Sequence, residues 1–93
     1  MNVGLVSMRI RLFGINSIKE KRSIVKRLTS FIRKKYNVSV SEVGYQDSKD
    51  FLELALAMVS NDRDVIHNVF QSIADYIELS EGLEIEEMEK ELW

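Results

Sequence analysis

Neither cysteine nor proline occurs in this 93-residue chain. Without cysteine there is no disulfide framework, no thiolate nucleophile and no zinc ribbon. Without proline, element boundaries must be read from glycine, asparagine and polarity alone. Only four glycines are present, and they form neither a phosphate-cradling loop nor a nucleophile elbow. His67 is the single histidine; it falls on the solvent side of a helical pattern, with no second histidine to share a metal. No apolar run approaches ~18 residues and no basic-then-apolar leader follows Met1, so neither a membrane span nor a signal peptide is expected and the chain reads as cytoplasmic. Carboxylates are plentiful in Glu84-Ile85-Glu86-Glu87. General acid–base work, however, needs one carboxyl held in an apolar pocket, which an open edge strand does not supply. The expectation is a non-enzymatic protein with no cofactor and no metal.

What is present is the composition of an ordinary globular protein, 45% hydrophobic and 30% charged. A chain of this length buries roughly 60–65% of its unfolded surface without staples. No linker, repeat or low-complexity segment divides it, so a single domain over residues 1–93 is expected. The net charge of −2 conceals an asymmetry: residues 1–35 carry ten Lys/Arg and one acid, Glu20, whereas residues 36–93 carry three Lys/Arg and fourteen acids. Either the halves neutralise one another across the fold, or a basic face is left for an anionic partner.

In Asn2 to Phe13, Val6, Met8, Ile10 and Leu12 alternate with Ser7, Arg9 and Arg11, the period of two of a strand covered on one face. Gly14 ends it. Asn16 or Ser17 offers a side-chain oxygen to the amides of a helix start, Ser17 with Glu20 three residues on has the spacing of a capping box, and a helix follows as far as Tyr36, closed by Asn37. Val25, Leu28 and Ile32 centre its apolar stripe; Lys19, Arg22, Lys26 and Arg33 gather opposite, with Arg27 and Lys34 on a flank. Lys21 projects near the centre of the stripe, so its stem should lie along the sheet end while its ammonium reaches past it. Val38–Val43 alternates as a second strand. Gly44–Asp50 reads as a hairpin connection, and Phe51–Val59, with Leu52, Leu54, Leu56 and Met58 on one face, as a central strand. Asn61 is placed to cap a second helix built on Val65, Ile66, Val69, Phe70, Ile73, Ala74 and Ile77 and reaching about Leu79. Leu83–Leu92, whose Glu-rich run also permits helix, reads as a last, very acidic strand. The order βαββαβ predicts an α+β ferredoxin-like sandwich, its antiparallel sheet ordered 4-1-3-2 with both helices on one face.

The segment Ser17-Ile18-Lys19-Glu20-Lys21-Arg22-Ser23 resembles the Ser-Leu-Lys-Glu-Lys-Arg-Ser signature of the YlxP-like bacterial proteins that carry domain of unknown function 503. Asn37–Val43 resembles that family's second block, and Gln46-Asp47 with Val59-Ser60-Asn61-Asp62 its third. Asn16, Gly44 and Lys49 depart from the pattern, standing where His, Asp and an aromatic are usual. The resemblance implies a ferredoxin-like fold and no assigned activity. The family's genes often lie near those of ribosome-binding factor A and translation initiation factor 2, which implies ribosomal RNA or a ribosome-associated protein as partner.

Two surfaces are candidate sites. Lys19, Lys21, Arg22, Lys26, Arg33 and Lys34 would bind nucleic acid along the first helix, unless they form a solvated face with Lys21 paired to Glu42. Val3, Leu5, Val43, Tyr45, Phe51, Ala55, Ala57 and Val59 are predicted on the uncovered sheet face, where exposed apolar area marks an interface. Two uses compete there: sheet-to-sheet packing into a homodimer, and an RNA platform on which Tyr45 and Phe51 stack on bases. The aliphatic majority favours the homodimer, with Arg9 and Arg11 paired to glutamates of the last strand.

Overall fold

Two ten-residue strands, β1 (Asn2–Arg11) and β3 (Phe51–Ser60), pair antiparallel along their whole length, from Asn2 opposite Ser60 to Arg11 opposite Phe51. The computed structural model, which describes residues 1–93, places β4 (Glu84–Leu92) beside β1 and β2 (Ser39–Gly44) beside β3, both antiparallel. The order 2-3-1-4 is the expected 4-1-3-2 counted from the other edge. With helices α1 (Ile18–Lys35) and α2 (Arg63–Asp75) between the strands, the fold is the ferredoxin-like α+β sandwich.

One face of the sheet carries the core. Val6, Met8 and Ile10 of β1 and Leu52, Leu54 and Leu56 of β3 are sealed against Leu28 and Ile32 of α1 and Ile66, Phe70 and Ile73 of α2. The alternation in the strands and the three-to-four spacing in the helices meet at this one layer. Gly4 lies where α2 comes closest to β1: a Cβ there would run into Ile66 and crowd the Phe70 ring at 3.1 Å. No helix is long and apolar enough to cross a membrane.

The element ends differ from expectation by a residue or two, each for a visible reason. β1 stops at Arg11 rather than Phe13, although Leu12 N–H still donates to the Asp50 carbonyl at 2.8 Å. Gly14, at φ +68°, then makes the left-handed turn that glycine accepts without penalty. Ser17 Oγ accepts from Glu20 N–H at 3.1 Å as a capping box requires, but Glu20 reaches back to Asn16 N–H at 3.0 Å, one residue beyond the cap. α1 ends at Lys35, because Tyr36 is already extended (φ −126°, ψ 144°), so Asn37 closes nothing. β3 runs through Ser60, which moves the cap of α2 from Asn61 to Asp62, whose Oδ1 accepts from Asp64 N–H at 2.9 Å.

After Asp75 the second helix widens into one π-helical turn, Tyr76–Ser80. There the Tyr76 ring stacks on Phe31 of α1, centroids 3.9 Å apart and planes 10° from parallel. Burial holds the Tyr76 hydroxyl above its ordinary pKa near 10, the charge of Glu81 adds to this, and Arg27 partly opposes both. The neutral phenol is therefore favoured by folding. Its contribution is fully present below the unfolded pKa of about 10 and is lost as pH rises through the higher folded value. Urea midpoints taken from pH 8 to 11.5 should fall more steeply above pH 10 in the native chain than in Tyr76→Phe. Parallel curves would show that Tyr76 ionises freely in the folded state.

Candidate nucleic-acid interface

The solvent side of α1 follows from its wheel. With Leu28 and Ile32 in the core, Lys19, Arg22, Lys26 and Arg33 project to solvent, and Lys34 stands exposed on the flank. Lys19 to Lys34 spans roughly 22 Å at 1.5 Å per residue. The cationic row is largely unneutralised. The ion pairs of the fold are Arg9–Glu87 at 3.0 Å, Lys21–Glu42 at 3.4 Å and Arg27–Glu81 at 2.8 Å. Each joins the basic first 35 residues to the acidic remainder, leaving seven of the ten cations of that segment without a carboxylate partner. Five of the fourteen acids of residues 36–93 lie on β4, at the sheet edge away from β2. Arg33 donates to the Val40 carbonyl at 2.9 Å, which fixes its guanidinium near the start of β2. Lys35 lies over the rings of Phe31 and Tyr36, 5.6 and 5.7 Å from their centroids.

Lys21 does not belong to this row. It is 1% exposed, so its ammonium does not snorkel to water but ends inside the fold, donating to the Tyr45 carbonyl beside Glu42. Lys21 therefore cannot contribute to a surface anion site. Its place is structural. Tyr45 has φ +60°, a left-handed conformation that costs a bulky residue about 1–3 kcal/mol. Its carbonyl accepts from Ser48 N–H at 3.0 Å as well as from Lys21. Two donors on one oxygen thus hold the turn that presents the Tyr45 side chain to the open sheet face. There the ring packs on Phe51, centroids 5.4 Å apart.

On that open face the rows run across the strands from one end to the other. Val3 stands beside Val59, Leu5 beside Ala57, Ser7 beside Ala55, Arg9 beside Glu53 and Arg11 beside Phe51. Along the β4 edge, Glu91, Glu89 and Glu87 flank Leu5, Ser7 and Arg9. On β1 and β3 one end is therefore apolar and the other charged, while β4 presents glutamates along its length. Leu5, Tyr45 and Val59 are exposed, as is Val43, which sits at the β2 bulge; Val3, Phe51, Ala55 and Ala57 are half-buried. Trp93, 60% exposed, exchanges backbone hydrogen bonds with Val3 at 2.8 and 2.9 Å. At the charged end a shallow depression of about 120 Å³ is lined by Ser7, Arg9, Tyr45, Glu53, Glu87 and Glu89. A hydrogen bond with the Tyr45 side chain, then the charge of Glu87, push the Arg9 guanidinium pKa up against the cost of desolvation. Arg9 takes the expected β4 partner, but Arg11 instead lies over Phe13 and Phe51, 5.7 and 5.4 Å from the ring centroids. His67 is half-buried, its Nδ1 3.3 Å from Lys90 Nζ.

Residues 3–90 match the family model described as protein of unknown function (DUF503). The chain belongs to this family. It is 32% identical over 76 residues, 82% of its own length and 83% of the relative's, to the uncharacterized protein YlxP of Bacillus subtilis (strain 168). Among solved structures it is similar to the de novo designed protein Foldit4 (TM-score 0.55, 18% identity, 98% of this chain and 96% of that one). It is also similar to SnoaB, a cofactor-independent oxygenase from Streptomyces nogalater (TM-score 0.53, 14% identity, 99% and 90%). At such identities the likeness concerns the fold alone. Of Asn16, Gly44 and Lys49, the first two make contacts within the fold. Asn16 supplies the backbone N–H that holds Glu20. Gly44 lies against the Glu53 carboxylate, where any Cβ would force that side chain aside. Lys49 is exposed in the β2–β3 connection.

Two features lay beyond the reach of the sequence. The Phe31–Tyr76 stack required knowing that the two helices touch, and the left-handed Tyr45 carries no glycine or asparagine to announce it. Lys21 did carry a signal, a lysine inside an apolar stripe; burial rather than snorkelling is what that signal meant.

Proposed function

We propose that this DUF503 chain is a non-enzymatic RNA-binding accessory protein that contacts the phosphate backbone of ribosomal RNA through α1. The observation that carries the reading is the row Lys19, Arg22, Lys26 and Lys34, exposed and without a carboxylate partner. Arg33 adds a guanidinium already oriented by the Val40 carbonyl. Such a row attracts nucleic acid by releasing condensed counterions, and it reads backbone rather than base sequence. The ribosome as the setting rests on what the resemblance to YlxP-like proteins implies about neighbouring genes.

The test is sedimentation of the purified protein with isolated ribosomal subunits at about 30 mM and about 150 mM salt, where the screening length shortens to about 8 Å. Co-migration with one subunit at both salts is the expected result. No association at either salt would overturn the proposal and leave a protein–protein interaction module without a nucleic-acid role.

A further inference from the structure

We infer that the open sheet face is the seat of a second copy of this chain, the two sheets facing one another about a two-fold axis that runs parallel to the strands between β1 and β3. The face contains the information needed to choose that axis. Its four strands lie in the order β2-β3-β1-β4. Rotation about an axis along the strands lays β1 of one copy over β3 of the other and keeps each residue level. Val3 then stands opposite Val59, Leu5 opposite Ala57 and the small pair Ser7 opposite Ala55, since these residues already share rows within one chain. Arg9 of each copy stands opposite Glu53 of the other, and Arg11 opposite Phe51, a ring it already covers within its own chain at 5.4 Å. The acidic β4 residues Glu89 and Glu91 fall over β2 of the other copy, opposite Ser41 and Ser39, and not over a second acidic strand.

The other way of facing two identical sheets, with the axis across the strands, fails on the same residues. It would lay Val3 over Arg11, Leu5 over Arg9 and Ala57 over Glu53, and would set one β4 directly on the other with its glutamates in register. Apolar area would then be matched to charge, and like charges would meet without partners, each costly once water is excluded. A two-fold contact must be self-complementary, and only the axis along the strands makes this face so.

The area is sufficient for a reversible dimer. Three strands roughly 30 Å long and the six-residue β2 of about 20 Å, spaced about 4.8 Å apart, give on the order of 550 Å² on each copy, hence about 1,100 Å² in all, just above the roughly 1,000 Å² that a specific interface needs. The helices lie on the opposite side of the sheet, so both α1 rows remain free, and the inference holds whether or not they bind RNA.

Sedimentation equilibrium of the full chain from 1 µM to 1 mM, read against the 10.8 kDa monomer, tests the assembly, and two charge-swapped variants test its geometry. Ala57→Glu places a carboxylate on the apolar row opposite Leu5 and should weaken association at least 100-fold, with an unchanged circular dichroism spectrum certifying the fold. Arg9→Glu and Glu53→Arg should each weaken self-association, because every cross-copy pair becomes like-charged. Mixed together they should form a heterodimer in native mass spectrometry, both cross pairs being opposite in sign again. A wild-type chain that stays monomeric at 1 mM would overturn the inference. A dimer insensitive to Ala57→Glu would equally do so by placing the contact elsewhere. Folded single-charge variants whose mixture gives no heterodimer would refute the axis along the strands.

Discussion

Replacing Lys21 by methionine should lower the unfolding free energy by about 3 kcal/mol, the low end of what removal of one member of a buried ion pair costs. Methionine keeps most of the stem, so little cavity opens. What is lost is the charge beside Glu42 and one of two donors to the Tyr45 carbonyl. Glu42 is the vulnerable group, because its Oε2 is buried with no hydrogen-bond partner and has only the ammonium 3.4 Å away. The residual exposure of its side chain, 21%, keeps the figure from the upper end of the range. For a domain of this size the melting temperature should drop by roughly 12 °C or more. The double variant Lys21→Met/Glu42→Met should recover most of the loss, since replacing both members of such a pair by apolar groups is often neutral. Lys21→Arg should not rescue, because the wider planar guanidinium has no room in a site 1% exposed. Urea titrations with constant slope measure all three. A single-variant loss below about 0.5 kcal/mol would mean that the ammonium reaches water in solution.

That pair also marks where sequence reading succeeded and where it stopped. The alternations in Val6-Met8-Ile10 and Leu52-Leu54-Leu56 and the spacing of Leu28 and Ile32 carry the architecture, because each pattern allows one secondary structure and one buried face. Element order then leaves few topologies, and handedness selects among them. Caps were legible in kind but not in position: Asn61 and Asp62 are chemically equivalent N-caps, and only the pairing of Ser60 in β3 decides between them. The candidate surfaces were legible as faces for the same reason as the core. Their internal chemistry was not, since it depends on which long side chains find partners across the fold. Arg27 reaches Glu81, fifty-four residues away, and Arg33 a carbonyl of β2, choices that no local pattern encodes. Lys21 shows the same limit: a wheel gives the direction of a lysine, whereas the depth at which its charge ends is set by the strand and turn that close over it.

The exposed cations permit a cleaner test, because changing them leaves the core untouched. Arg22→Glu/Lys26→Glu should weaken RNA binding on the order of 100-fold at ~150 mM salt, through two lost phosphate contacts and two added repulsions. Neither side chain makes a hydrogen bond or ion pair within the fold and both are exposed, so the variant should fold normally. Glutamate is as good a helix former as the residues it replaces, and the double substitution exchanges one like-charged pair four residues apart for another, so the helix itself changes little in stability. The salt dependence separates a lost contact from a general change in charge. If Lys19, Arg22, Lys26 and Lys34 each neutralise one phosphate of a single strand, the slope of log K against log salt should be about −2.8, and the variant should lose at least half of it. Fluorescence anisotropy on a short labelled RNA, repeated at four salt concentrations, reads both quantities. Weakened binding at low salt with an unchanged slope would mean that the substitutions act at a distance through the field of the protein. An unchanged affinity and slope would place the RNA contact off this helix altogether.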